Sequence, residues 1–121
     1  MTSRDSQRAQ RAYQRVNKRI EHEQADKYKS FALSFPALVH SCGLAQALAY
    51  AQAKSLGEFQ DDLAFVINGN GSSFKTLAQQ SREADLSDYR RLTYEVISGA
   101  SWIKRYVEAL FKDSDGENSD E

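Results

Sequence analysis

Apolar residues recur every three or four positions along nearly the whole chain, the spacing that places them on one face of an α-helix. The cleanest stripe is Tyr89, Leu92, Val96, Ile103, Val107 and Leu110, with Ala100 in step. It predicts a long last helix over about 88–112, with Ser87 as N-cap. A long first helix is predicted over about 3–27, a stretch without Gly or Pro, with Ala9, Tyr13, Val16 and Ile20 on one face. Four shorter helices lie between. One starts at Ser34 or Pro36, because the missing N–H of a proline is not needed in a first turn, and ends at Gly43, which fits a break or a close crossing. The next covers about 44–55. Its alanines at positions 45, 47, 49, 51 and 53 make it slim, and Gly57 is a natural stop. The third covers about 58–67 and buries Phe59, Leu63 and Val66 or Ile67, and the fourth, about 73–82, is capped by a serine. Asn68-Gly69-Asn70-Gly71 is a turn. It could close a hairpin, but its flanks fit period 3.6 better than period 2, so it joins two helices. The expected fold is all-α: a single compact bundle of five or six helices over 1–112, followed by an acidic, disordered tail at 113–121.

A chain of 121 residues, 40% of them hydrophobic, is long enough to bury one core without disulfides or metal. No apolar run approaches the roughly 20 residues of a membrane span, and the N-terminal residues lack a signal peptide's apolar stretch. The lone Cys42 cannot form an internal disulfide. Together these absences lead us to expect a cytoplasmic protein with no membrane contact. The net charge of −1 conceals an asymmetry, since residues 1–29 hold eight Lys or Arg against four acids, and 113–121 hold five acids and no base. The body ahead of the tail is therefore cationic, and a polyanionic partner is not excluded. The tail reads as a solubilising extension, or as a shield for the first helix that nucleic acid displaces.

Most of the candidate chemistry is cationic. Arg4, Arg8, Arg11, Arg15 and Lys18 are spaced four, three, four and three, with Arg19 beside them. At 100° per residue the first five fall within roughly 80° of arc, about 140° from the apolar face, in a row about 20 Å long. Arginine suits phosphate through its planar donor fork, so the row fits a nucleic-acid backbone. It equally fits an acidic protein surface or plain solvent. Like charges at these spacings destabilise an isolated helix slightly, which favours a partner. On the last helix Arg91, Ser98, Trp102 and Arg105 project to one side with Tyr94 nearby, and Trp102 could be buried, could anchor a protein interface or could stack bases. Glu58, Asp61 and Asp62 read as a solvated acidic face before a magnesium site or a dock for a basic surface. His22, His40 and Cys42 do not complete a metal site, and Cys42 reads as a small buried apolar residue. No catalytic constellation, metal site or cofactor motif can be inferred, so the chain is not expected to be an enzyme.

Several blocks resemble the small helical subunit of the type III-B CRISPR effector, the fifth protein of the Cmr complex. Phe35-Pro36-Ala37-Leu38-Val39 followed by Gly43-Leu44-Ala45-Gln46-Ala47-Leu48-Ala49-Tyr50 is similar to that family's apolar-Pro-apolar and Gly-Leu-x-Gln-x-Leu-Ala-aromatic pattern. Tyr89-Arg90-Arg91-Leu92-Thr93, then Trp102-Ile103-Lys104-Arg105-Tyr106 and Glu108-Ala109-Leu110, is a second block. Arg8-Ala9-Gln10-Arg11-Ala12-Tyr13 is similar to the family's arginine-rich first helix. His40 is a departure, since the family usually carries arginine there, and a neutral histidine would weaken a phosphate contact. The resemblance implies a non-catalytic building block of an RNA-guided antiviral effector. Its copies would stack into a minor filament beside the crRNA-binding backbone subunits, with the large polymerase-like subunit at the base, and guide (crRNA) and target RNA would run between. Within that assembly, helix geometry and not the family's known sites turns Arg4, Arg8, Arg11, Arg15, Lys18 and Arg19 toward RNA and Arg91, Trp102 and Arg105 toward other subunits, and His40 is placed with the latter. A stand-alone helical adaptor that docks an acidic protein through its basic first helix is the alternative.

Overall fold

The computed structural model describes residues 3–111, so the tail at 113–121 lies outside the described residues. Six α-helices follow one another: α1 (Arg4–Arg19), α2 (Ala25–Cys42), α3 (Leu44–Lys54), α4 (Gly57–Asn68), α5 (Phe74–Glu83) and α6 (Leu86–Leu110). A 3₁₀ turn at Gly69–Gly71 joins α4 to α5, and no strand occurs among the described residues. The all-α bundle expected from periodicity is what forms.

α6 is the axis of the bundle, packing against α1, α2 and α4. Arg4 meets Glu95 and Tyr13 meets Tyr106, so α1 runs parallel to α6. Tyr28 stacks near Phe111 and Ala45 donates to the Tyr89 hydroxyl, so α2 runs antiparallel to it. Arg19 reaches Asp62 and Arg11 reaches Val66, which sets α4 antiparallel to α1. α3 rests on α2 and α5. The core is aromatic at one end, where Phe59 makes edge contacts with Tyr28, Phe31 and Phe35.

The expected long first helix is in fact two helices. α1 ends at Arg19, the chain reverses over 20–24, and α2 begins at Ala25, well before Pro36. The reversal lets Val16 of α1 and Tyr28 of α2 face the same core. The turn is fastened by the His22 carbonyl accepting from the Ala25 amide and by His22 Nδ1 accepting from the Gln24 amide. Pro36 is inside α2, and buried, instead of opening it. The buried positions Tyr28, Ala32, Phe35 and Val39, spaced four, three and four, carry one continuous stripe through the proline. Burial along that stripe outweighs the hydrogen bond that proline cannot donate.

Gly43 ends α2 at φ 87°, a conformation that favours glycine. The Tyr89 hydroxyl next to it accepts from one of the free amides in the first turn of α3, at Ala45 (3.1 Å). Gly99 allows a close crossing of α6 and α4, since a Cβ there would lie 2.7 Å from Ile67 Cγ1. Ser73 caps α5 as expected, accepting from the Thr76 amide. α6 is capped two residues earlier than expected, by Asp85 in place of Ser87, through the Asp88 amide at 2.9 Å. Cys42, expected in the core, is exposed at the end of α2.

Candidate nucleic-acid and subunit interfaces

The middle of the arginine row of α1 turns toward the neighbouring helices. The residues of α1 that meet the core are Arg8, Ala12 and Val16, and Tyr13, expected inside, is 46% exposed. The helix is rotated from its expected setting because carboxylates lie among the apolar positions of its neighbours. Asp62 sits between Phe59, Leu63 and Val66 on the inner face of α4 and is fully buried (0% exposed). That corrects its reading as part of a solvated acidic face.

Four donors surround the Asp62 carboxylate. Arg19 approaches with two nitrogens, Nε to Oδ2 at 2.9 Å and Nη2 to Oδ1 at 2.8 Å. Arg15 Nη1 donates to Oδ1 at 3.0 Å, and the Tyr28 hydroxyl to Oδ2 at 2.6 Å. Arg15 and Arg19, one turn apart on α1, converge on the same atom, and the Arg15 guanidinium also lies 4.1 Å from the centre of the Phe65 ring. A buried carboxylate needs this degree of satisfaction. The hydrogen bond to Asp62 holds the Arg19 guanidinium above its ordinary pKa. Burial, reinforced by the Asp62 charge, pushes the Tyr28 phenol far above its own.

Glu95 of α6 forms the second centre. Arg4 Nη1 donates to Oε2 at 3.2 Å, and Arg91 Nη1 stands 3.9 Å away. Arg8 is 3% exposed beside them, and its Nε has no hydrogen-bond partner among the described residues. Burial pushes the Arg8 guanidinium down, against the pull of Glu95. Arg11 donates to the Val66 carbonyl at 3.4 Å, and so brings a cation to the C-terminal end of α4, whose last turn has no basic residue of its own. Of the six cations assigned to RNA, Lys18 is exposed on α1 and the Arg4 side chain is 72% exposed while paired. Arg8 is buried, and Arg11, Arg15 and Arg19 are half-buried with their guanidinium groups bonded to acceptors within the chain. The expectation of a solvent-facing row of five is corrected accordingly. The signal that would have revealed this was Asp62 and Glu95 themselves, each standing in register with an apolar stripe.

The four residues assigned to subunit contact are spread over three places. Arg91 pairs with Asp88 at 3.2 Å and lines a groove of about 360 Å³ with Asn68, Gln80, Glu83 and Glu95. Trp102 and Arg105 line a second groove of about 230 Å³ with Asp5, Tyr94, Ile97, Ser98 and Ser101. In it Trp102 is half-buried and stacks on Tyr106 at 5.9 Å, and Tyr106 meets the edge of Tyr13. His40 is exposed near the end of α2. Among the described residues no three His, Cys, Asp or Glu side chains are grouped to hold a metal ion. No helix there is long and apolar enough to cross a membrane.

These features define a small all-helical protein whose first helix is tied down by ion pairs and whose last helix presents cations and aromatic rings. Residues 4–110 match the family model described as CRISPR-associated protein (Cas_Cmr5). The chain is 38% identical over 119 residues to the CRISPR system Cmr subunit Cmr5 of Thermus thermophilus, an alignment covering 93% of this chain and 100% of that relative. It is also similar to the crystal structure of a CRISPR-associated Cmr5 family protein from the same organism. That match has a TM-score of 0.84 at 37% identity and covers 91% of this chain and 98% of the other. The chain belongs to the Cmr5 family of CRISPR-associated proteins.

Proposed function

We propose that this chain is a non-catalytic small subunit of a type III-B CRISPR (Cmr) effector. Its copies stack into the minor filament and support guide and target RNA. Its partners are the crRNA-binding backbone subunits, the large polymerase-like subunit and further copies of itself, in the cytoplasm. The observation that carries this reading is the match to the family over residues 4–110. In such an assembly base pairing reads sequence, and the protein supplies charge and shape. On α1 the RNA contacts fall to Arg4 and Lys18 and to the accessible edges of Arg11, Arg15 and Arg19. Arg91 and His40 are assigned to neighbouring subunits. Trp102 and Arg105 stand apart from Arg91 in their own groove and belong to a different contact.

The like-charged row no longer argues for an acidic partner, so the RNA reading is preferred to the adaptor on the family match alone. The like-charged row on α1 called for something to offset it, and Asp62 and Glu95 supply that offset within the chain. Purification of the tagged chain from its host, with mass spectrometry and RNA sequencing of what accompanies it, tests the proposal. Recovery of the other Cmr subunits together with crRNA is expected. Recovery of an acidic protein without RNA or CRISPR proteins would contradict it.

A further inference from the structure

α6 carries Arg90, Arg91, Lys104 and Arg105 but only one acid between Tyr89 and Val107. That acid, Glu95, is 9% exposed and already paired with Arg4. Among the described residues Arg90, Lys104 and Arg105 form no ion pair, and Arg90 and Arg105 are exposed. At 1.5 Å per residue the two basic pairs are about 21 Å apart along the helix axis. Tyr94 and Trp102 lie between them, on the face that forms the groove with Ser98, Ser101 and Arg105. Tyr94 is 71% exposed, far more than a tyrosine kept for packing. Trp102 is held in place by its stack on Tyr106, so one aromatic plane is rigid and the other is free. The acid on the rim, Asp5, sits in the first turn of α1, where the helix dipole favours it.

Cations at both ends, aromatic planes between them and hydroxyls in the groove form the combination that binds single-stranded nucleic acid: electrostatic tracking of the backbone with bases stacked on rings. We propose that this α6 groove stacks bases of single-stranded RNA on Tyr94 and Trp102, with Arg90, Lys104 and Arg105 toward phosphates. This rests on the RNA-supporting role given above and names where unpaired bases would lie. The groove itself holds one base, Arg105, and one acid, Asp5, and the flanking Arg90 and Lys104 of α6 tip the balance toward a polyanion over an acidic or neutral protein surface.

Trp102 is the only tryptophan of the chain, so its emission reports on the groove alone. The test uses the full chain and a labelled twelve-residue uridine oligomer at low salt. Tryptophan emission and RNA anisotropy are followed together up to about 1 mM protein, beyond the roughly 10⁻⁴–10⁻⁶ M range of non-specific binding. Saturable quenching that tracks anisotropy and reverses with salt is expected. Tyr94→Ala should weaken RNA binding roughly 5- to 150-fold, the value of one stacked base. Trp102→Phe should retain most affinity, and Arg105→Gln should lower the salt slope by about one. RNA binding with unchanged emission and unchanged affinity in Tyr94→Ala overturns the groove assignment and leaves the RNA-supporting role standing. Absence of RNA binding across the whole range overturns both. Emission that changes with protein concentration before RNA is added would give the groove to a second copy of the chain and overturn the proposal.

Discussion

α1 and α6 both display arginines in rows, and the two rows do opposite work. On α1, Arg15 and Arg19 close on a fully buried carboxylate and Arg8 is buried beside another. On α6, Arg90 and Arg105 face outward and form no ion pair among the described residues, near the exposed Tyr94 and the half-buried Trp102. A row of arginines at helical spacing therefore does not define a binding surface by itself. What decides is whether a neighbouring element offers a carboxylate at an apolar position. If it does, the guanidinium becomes part of the packing, with its methylenes along the core and its head on the acid.

The contrast is broken most severely at Asp62. Asp62→Ala leaves Arg15, Arg19 and Tyr28 without their acceptor. It should cost about 3–5 kcal/mol of stability, the usual penalty for removing one partner of a buried pair, read as a drop in the urea midpoint. Gly99→Ala drives a methyl group into Ile67. Overpacking of about 1–3 kcal/mol offsets or exceeds the roughly 1 kcal/mol by which Ala is the better helix former, so a net loss of up to about 2 kcal/mol is expected in the same assay.

Tyr28→Phe removes one of the four donors to Asp62 and should cost about 1–2 kcal/mol near neutral pH. Its pH dependence sharpens the point. The phenol's folded pKa is raised above its unfolded value of 10.0. Its contribution is therefore fully present below pH 10 and is lost as pH rises above it, where only the unfolded chain ionises this group. The wild-type chain should lose stability above pH 10 more steeply than Tyr28→Phe, as urea midpoints across pH 8–11 will show. The smallest effect is expected at Arg8, buried with an unsatisfied nitrogen and a depressed pKa. Glu95 keeps Arg4 and Arg91, so Arg8→Met should be neutral or stabilising. A loss above about 2 kcal/mol would show that Arg8 is a required partner of Glu95.

Much of the fold was legible because burial and helical period coincide. Phe59, Leu63 and Val66 fixed α4, and the Tyr89–Leu110 stripe fixed α6 to within two residues. The break after Arg19 was hidden, since Glu21, His22, Glu23 and Gln24 carry neither Gly nor Pro, and the turn they make is imposed by tertiary contacts at Asp62. Pro36 misled in the opposite direction, because a stripe buried on both sides of a proline can hold a helix together through it. The candidate surface was half visible. Trp102 and Arg105 were identified from helix geometry and do share a groove, whereas Arg91 lies in another because Asp88 and Glu95 draw it there. The inward turn of the α1 arginines required knowing which helix faced which, and spacing along one helix does not contain that.

Arg15 and Arg19 of α1 are structural, whereas Arg90 and Arg105 of α6 form no ion pair among the described residues. Urea denaturation of Arg15→Ala/Arg19→Ala beside Arg90→Ala/Arg105→Ala tests this contrast most directly. The first pair should lose at least about 3 kcal/mol, and the second should stay within about 0.5 kcal/mol of wild type. Equal losses in the two pairs, or an unchanged midpoint in the first, would contradict it.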